Sequence, residues 1–319
     1  MKLQSTDGDI VITTVVGSYP ATPRGPETLR ERISSFLGSY DACRPAIETA
    51  VRDQVMAGID IISDGQVRGD MVGHFAEAMG GMRVKDGVSI IFSRITPPSG
   101  SIGSHDLRYA MGILRKLTDD ESKGVKGIIT GPSTMVHASR IEGFYSPQKR
   151  ERAIMDMAEA LRVEAEHLQD AGAVMIQIDE PFLSTGMVDM GTARRAVKRI
   201  SGALDVDVSL HVCGDISGVI GELLTFPVDM LDLEFAGRPS NLEVLAEKWR
   251  GDKKLGFGCV DTSTEVVEST DTIKNLIERG ADIAGEDNLY IDPDCGMRKL
   301  PREAAFAKLR NMVKAASEF

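Results

Sequence analysis

Eight short apolar runs, each bounded by turn residues and most followed by a stretch of helical periodicity, constrain this chain more than any other feature. The runs are Ile10 to Val16, Ile59 to Ser63, Gly127 to Thr130, Val174 to Ile178, Val206 to Leu210, Met230 to Leu233, Lys254 to Gly258 and Leu289 to Ile291. Helical spacing occupies Arg150 to Ala171, Thr192 to Gly202, Asn241 to Trp249, Glu265 to Arg279 and Arg302 to Ala316. Strict strand–helix alternation implies right-handed crossovers and a parallel sheet with helices outside it. Eight such repeats in 319 residues match a closed (β/α)8 TIM barrel better than an open doubly wound sheet. One further strand-like run, Val88 to Ile95 ahead of Thr96-Pro97-Pro98, breaks the count. It is assigned to an excursion between the second and third barrel strands, about residues 66 to 125, that places extra structure over the barrel mouth. There is no Gly/Ser linker and no internal repeat beyond the alternation, so residues 1–319 are expected to form one α/β domain.

Composition narrows the function classes. At 42% hydrophobic and 27% charged residues, the balance is that of a globular domain able to bury a large core. A formal charge of −11, with no run of Lys or Arg to track phosphates, argues against nucleic-acid binding. No apolar run approaches the roughly 20 residues a membrane helix needs. The stretch Met1 to Asp9 has no basic region followed by an apolar one, and a cytoplasmic location is expected. Cys43, Cys213, Cys259 and Cys295 are too few and too scattered for a disulfide framework, which leaves thiol or metal chemistry.

In a barrel of this type reactive groups sit at the C-terminal ends of the strands. The residues that follow the apolar runs are Gly17-Ser18-Tyr19-Pro20, Asp179-Glu180-Pro181, His211-Val212-Cys213, Glu234 and Asp292-Pro293-Asp294-Cys295-Gly296. His-x-Cys on extended backbone points both side chains to one side, because the strand period is 2. Alone such a pair is most often buried core. With Glu234 from the next strand and Cys295 in a Pro/Gly turn, the four converge on one rim as a donor set for tetrahedral Zn2+, one ion per chain. Soft thiolates favour zinc, and so electron-rich an ion suits activation of a substrate thiol better than generation of hydroxide. Glu234, the hardest ligand, is the one expected to give way to that thiol. Asp179 and Glu180 offer carboxylates for a substrate ammonium group, or caps for a helix. Gly17 and Ser18 offer an anion-binding turn for a substrate carboxylate. Cys43 and Cys259 are expected to be incidental, and of the remaining histidines only His137 follows a strand-end turn.

Taken together, these blocks resemble the catalytic, C-terminal domain of cobalamin-independent methionine synthase, over nearly the whole chain. The matching blocks are Thr13 to Pro20, Asp64-Gly65-Gln66 with Gly69 to Val72, Gly131 to Met135, Gln177 to Pro181, His211 to Cys213, Glu234 and Asp292 to Gly296. The resemblance implies zinc on His211, Cys213, Glu234 and Cys295, in agreement with the barrel reading. It also implies L-homocysteine held around Val16, Gly17 and Ser18, by Asp179 at its amino group, and by Gln66, where the family usually has Glu. The features that bind a folate donor are replaced: a stacking Trp aligns with Ala138, a folate-contacting Glu with Thr185, and a proton-donating His near Ser263. This pattern resembles the short, core-only members that are similar to corrinoid-dependent methyltransferases. It implies methylcobalamin, free or on a methyl-corrinoid donor protein, as methyl donor, with a methyl-folate or methanopterin donor as the runner-up.

The reaction so implied is direct transfer of a methyl group to a zinc-bound homocysteine thiolate, giving L-methionine. The same barrel could alkylate another thiol such as coenzyme M, although a sulfonate would prefer Arg or Lys where Asp179 and Ser18 stand. From other classes, a non-catalytic homocysteine- or zinc-binding protein, or a barrel lyase with an incidental His-x-Cys, remains as an alternative.

Overall fold

β-Branched and aliphatic runs punctuated by glycine build the strands of the computed structural model, which describes residues 11–319. Ile10, where the first strand is expected to begin, and the stretch Met1 to Asp9 lie outside the described residues. In chain order the strands are β1 (Ile12–Thr13), β2 (Ile61–Ile62), β3 (Gly80–Lys85), β4 (Val88–Thr96), β5 (Gly124–Val125), β6 (Gly127–Thr130), β7 (Arg140–Ile141), β8 (Met175–Asp179), β9 (Asp207–Val212), β10 (Met230–Glu234), β11 (Lys254–Gly258) and β12 (Leu289–Asp292). Seven of them form one curled sheet in the order β1-β12-β11-β10-β9-β8-β6, parallel at every pairing. β2 pairs in parallel with β5, which passes through Lys126 into β6, and Thr14 bridges to Ile61. β5 and β6 are thus two stretches of one stave, and the ring of the expected (β/α)8 barrel closes.

The strand ends fall one or two residues later than the apolar runs suggest. His211, Asp179, Glu234 and Asp292 lie inside their strands rather than just after them, because ladder pairing continues through polar residues that face the barrel axis. The helix expected over Glu265 to Arg279 runs from Thr270 to Ala284, where Ser269 accepts from Thr272 N at its N-terminus. The residues before it are spent on a loop in which Glu268 receives Asp261 N at 2.9 Å and Lys308 Nζ at 2.8 Å. Helices Leu29–Phe36 and Arg44–Ala57 between β1 and β2 are not anticipated in the sequence.

Val88–Thr96 is a strand outside the barrel. It forms an antiparallel hairpin with β3 through the turn at Asp86 and Gly87, both at positive φ, and β7 joins its other edge. Among the described residues no helix is long and apolar enough to cross a membrane.

Alternation along the staves divides the interior. Ile176, Ile178, Val208, Leu210, Leu231 and Leu233 pack outward in the main core, whereas Ile61, Met175, Met230 and Tyr290 form a separate buried cluster that plugs the barrel floor. The next inward positions toward the mouth are polar and buried: Ser63, Lys126, Gln177, Ser209, Asp232 and Asp292, with His211 above them. At the wall, Asp53 accepts from Tyr19 OH at 2.9 Å and from Arg302 at 2.6 and 2.8 Å. That clamp ties the Gly-Ser-Tyr-Pro turn to helices Arg44–Ala57 and Arg302–Ser317.

Candidate metal centre and substrate pocket

His211 on β9, Cys213 one residue past it and Cys295 after β12 bring their donor atoms within 4.8 Å of one another. The imidazole is held by register. Asp232 is its neighbour on β10, and His211 Nδ1 donates to Asp232 Oδ1 at 2.9 Å, with both side chains buried. That bond fixes the tautomer and leaves Nε2 buried with no protein partner. An imidazole nitrogen without a partner, aimed at two thiols, is a donor set suited to a soft divalent cation, with Asp232 orienting the histidine from behind.

The Cys295 turn is pinned from two sides. Asp294 accepts from the backbone N–H groups of Phe235 and Ala236 at 3.0 Å and of Gly237 at 2.6 Å, joining the end of β10 to the turn across β11. Gly258 leaves room for this, since a Cβ there would lie 2.6 Å from Asp294 Oδ1. On the other side Met297 N donates to Ser18 O at 2.7 Å, and a Cβ on Gly296 would lie 2.1 Å from Ser18 Oγ. The Gly17-Ser18 turn is therefore seated against Cys295.

Charges within the trio are strongly shifted. The hydrogen bond from Cys213, reinforced by His211, outweighs burial and pulls the Cys295 thiol down to about 4. Its partner Cys213 is pushed up by the same bond and by burial. Burial opposes a charge on His211, but the Asp232 carboxylate raises it well above its ordinary value. Burial also drives Asp292 upward and Asp294 to about 7.

Glu234 departs from the expected four-residue set. It ends β10 beside the trio, but its carboxylate pairs with Arg238 Nε at 2.7 Å, because the guanidinium four residues on reaches it first. Its backbone is tied in, since Asn241 Nδ2 donates to Glu234 O and to Gly214 O, both at 2.9 Å.

The predicted substrate residues gather on the adjoining arc of the rim. Register places Asp179 beside His211; it is 5% exposed, and burial raises its carboxyl to about 6. Val16 is buried, and a Cβ on Gly17 would lie 3.0 Å from Gln66 Oε1, so the Gln66 amide rests against the Gly17 backbone. Gln66 itself takes φ 47, and Arg298 holds its carbonyl and that of Gly69. Glu180 does not share the work of Asp179. Fully buried, it accepts from Ser133 N and Thr134 N at 2.8 Å and Thr134 Oγ1 at 2.7 Å, capping helix Pro132–His137. His137 turns back on that helix, with Nδ1 2.9 Å from Ser133 O. Ala138, Thr185 and Ser263 are exposed, and the hydroxyls of the last two are spent on Phe182 O and Asp261, each at 2.7 Å.

Sequence reasoning missed Asp232, Gln177 and Lys126. The period-2 pair Asp232 and Glu234 in Met230-Leu231-Asp232-Leu233-Glu234 was the available signal for the first.

Residues 11–318 match the family described as cobalamin-independent synthase, catalytic domain. The chain belongs to that family. Membership in the cobalamin-independent synthases makes it a methyltransferase of methionine synthesis. Among similar proteins, a methionine synthase of Methanothermobacter marburgensis is 95% identical over 309 residues, covering 97% of this chain and 100% of the relative. One from Methanocaldococcus jannaschii is 46% identical over 314 residues, covering 96% and 98%. A solved B12-independent methionine synthase from a Shewanella species, in complex with selenomethionine, superposes with TM-score 0.80 at 24% identity over 97% of both chains. A methyltransferase from Methanosarcina mazei gives 0.68 at 14% identity over 99% of this chain and 96% of the other. At those identities the two structures establish a shared barrel fold and no more.

Proposed function

We propose that this member of the family forms L-methionine by methyl transfer to L-homocysteine, using one Zn2+ on His211, Cys213, Cys295 and Glu234. The observation that supports this most is His211 Nε2, buried without a partner and facing two thiols. Bound there, zinc would hold the substrate sulfur as a thiolate at neutral pH. Asp232 keeps His211 in the tautomer that presents Nε2. Arg238 offers Glu234 a resting partner, as suits a ligand that yields its place to the incoming sulfur. Asp179 receives the amino group, and Val16, Gly17, Ser18 and Gln66 line the rest of the amino acid. We further read the described residues, 11–319, as one barrel domain whose excursion, about 66 to 125, excludes water from the mouth.

The donor in this reading is methylcobalamin, free or on a methylated corrinoid protein. The new sulfur–carbon bond forms as the carbon–cobalt bond breaks, and the electron pair remains on cobalt, so no proton has to be delivered. Exposed Ala138, Thr185 and Ser263 present neither an aromatic face for a pterin nor an acid for its nitrogen. The test is single-turnover methionine formation by zinc-loaded protein with homocysteine under anaerobic conditions. Methionine from methylcobalamin and not from methyltetrahydrofolate is expected. Turnover of the folate donor would overturn the donor assignment, and methylation of coenzyme M in preference to homocysteine would overturn the substrate.

A further inference from the structure

Lys126 is buried in the barrel, 2% exposed, where the third stave passes from β5 to β6, and nothing in the reaction described above uses it. Its ammonium donates to Gln177 Oε1 at 2.5 Å. Gln177, fully buried on β8, spends its other end on two acceptors. Its Nε2 donates to the Val16 carbonyl at 2.6 Å and to Asp179 Oδ1 at 2.7 Å. Those acceptors are the backbone and the carboxylate assigned to the substrate.

A primary amide has a donor end and an acceptor end of nearly equal size, so shape alone does not stop it from turning over. Turned over, Gln177 would set its oxygen against the Val16 carbonyl and the Asp179 carboxylate, and both would lose a donor. Lysine offers three donors and no acceptor. Placed at the far end of the amide, it admits one orientation only. Burying an ammonium is costly, and an apolar side chain of similar length would fill the same space without that cost.

We infer that Lys126 is a positioning residue for the amino-acid pocket: through Gln177 it holds the Asp179 carboxylate and the Val16 carbonyl in place, and so sets preference for a thiol bearing an α-amino group. The inference rests on the proposed reading of Asp179 as the ammonium receptor. A mispositioned Asp179 weakens one charge-assisted hydrogen bond, which corresponds to about a tenfold loss of affinity, confined to ligands with the amino group.

The experiment is calorimetric binding to zinc-loaded protein of homocysteine and of 4-mercaptobutanoate, which keeps the thiol and carboxylate but lacks the amino group. The quantity read is the ratio of the two dissociation constants, alongside zinc content. Lys126→Met should lower the preference for homocysteine about tenfold with zinc content unchanged. The double variant Lys126→Met/Gln177→Met removes both ends of the lysine–amide bond and is compared with Gln177→Met alone, since each of these two leaves the Val16 carbonyl and Asp179 Oδ1 without the amide donor. Adding Lys126→Met to Gln177→Met should leave the ratio where Gln177→Met puts it, since the lysine acts only through the amide. An unchanged ratio in Lys126→Met, equal weakening of both thiols, or a further fall in the ratio on adding Lys126→Met to Gln177→Met would each overturn the role of Lys126. Wild-type protein that binds both thiols equally would instead overturn the ammonium pocket itself, a separate failure.

Discussion

Replacing Asp232 with Asn removes a charge while preserving shape, and its effects on the metal-free and metal-loaded protein differ in size. Asp232 Oδ1 accepts from His211 Nδ1 at 2.9 Å with both residues buried. The asparagine oxygen can keep that bond but not its charge assistance. Loss of such an orienting carboxylate costs about ten- to a hundredfold in metal affinity, or about 1.4 to 2.8 kcal/mol. Asp232 Oδ2, by contrast, is buried with no partner, beside Asp292, whose two oxygens are equally unpaired. An unsatisfied buried group of this kind costs about 1 to 3 kcal/mol. Relief of that cost offsets the loss of the charge that raises His211, so the metal-free Asp232→Asn protein should change little in stability, while the gain in stability on adding zinc shrinks. Chelator competition measures the affinity, and melting with and without zinc measures the two stabilities. A variant that melts lower in both forms, or that binds zinc as tightly as wild type, refutes the reasoning.

Other perturbations separate metal, substrate and scaffold. Glu180→Ala strips three buried hydrogen bonds from the start of helix Pro132–His137 and should cost about 3 kcal/mol or more in chemical denaturation, with zinc content intact. Homocysteine binding should weaken as pH falls through about 6, where Asp179 gains a proton, by at most about tenfold per pH unit; 4-mercaptobutanoate titrated calorimetrically over the same range should show no such inflection. Because the folded value of that carboxyl is raised, its contribution to stability is full below the unfolded value and lost as pH rises through about 6. Arg238→Ala frees Glu234 from its 2.7 Å ion pair and should slow loss of zinc to a chelator, whereas faster loss would mean that Arg238 helps to hold the site together.

The barrel was legible because its signal is repeated eight times and depends only on period and punctuation. The trio was legible for a related reason, since His211, Cys213 and Cys295 all fall at ends of apolar runs. What one strand's sequence cannot display is register between staves. Asp232 meets His211 because β10 lies one step from β9, and the Lys126 ammonium meets an amide 51 residues away. Nor do strand ends announce how a polar residue will be spent. Asp179 and Glu180 are adjacent, yet alternation sends the first to the pocket and the second to a helix cap. Glu234 is placed on the rim by its strand, while its orientation is decided by Arg238, outside the strand.

The distribution of donor atoms along the staves also bears on how the protein is made. His211 and Cys213 share one strand, but Cys295 follows the last stave, and its turn is pinned by Ser18 from the loop after the first. During vectorial synthesis, N-terminal segments emerge first, so a two-donor half-site exists for about eighty residues of elongation before the third donor appears. Ring closure between β1 and β12 is the longest-range pairing in the barrel, and pairings of that kind form late. On the proposed reading, metal loading would be coupled to the final step of barrel assembly, and a chain stalled before closure would present thiols without a complete cage.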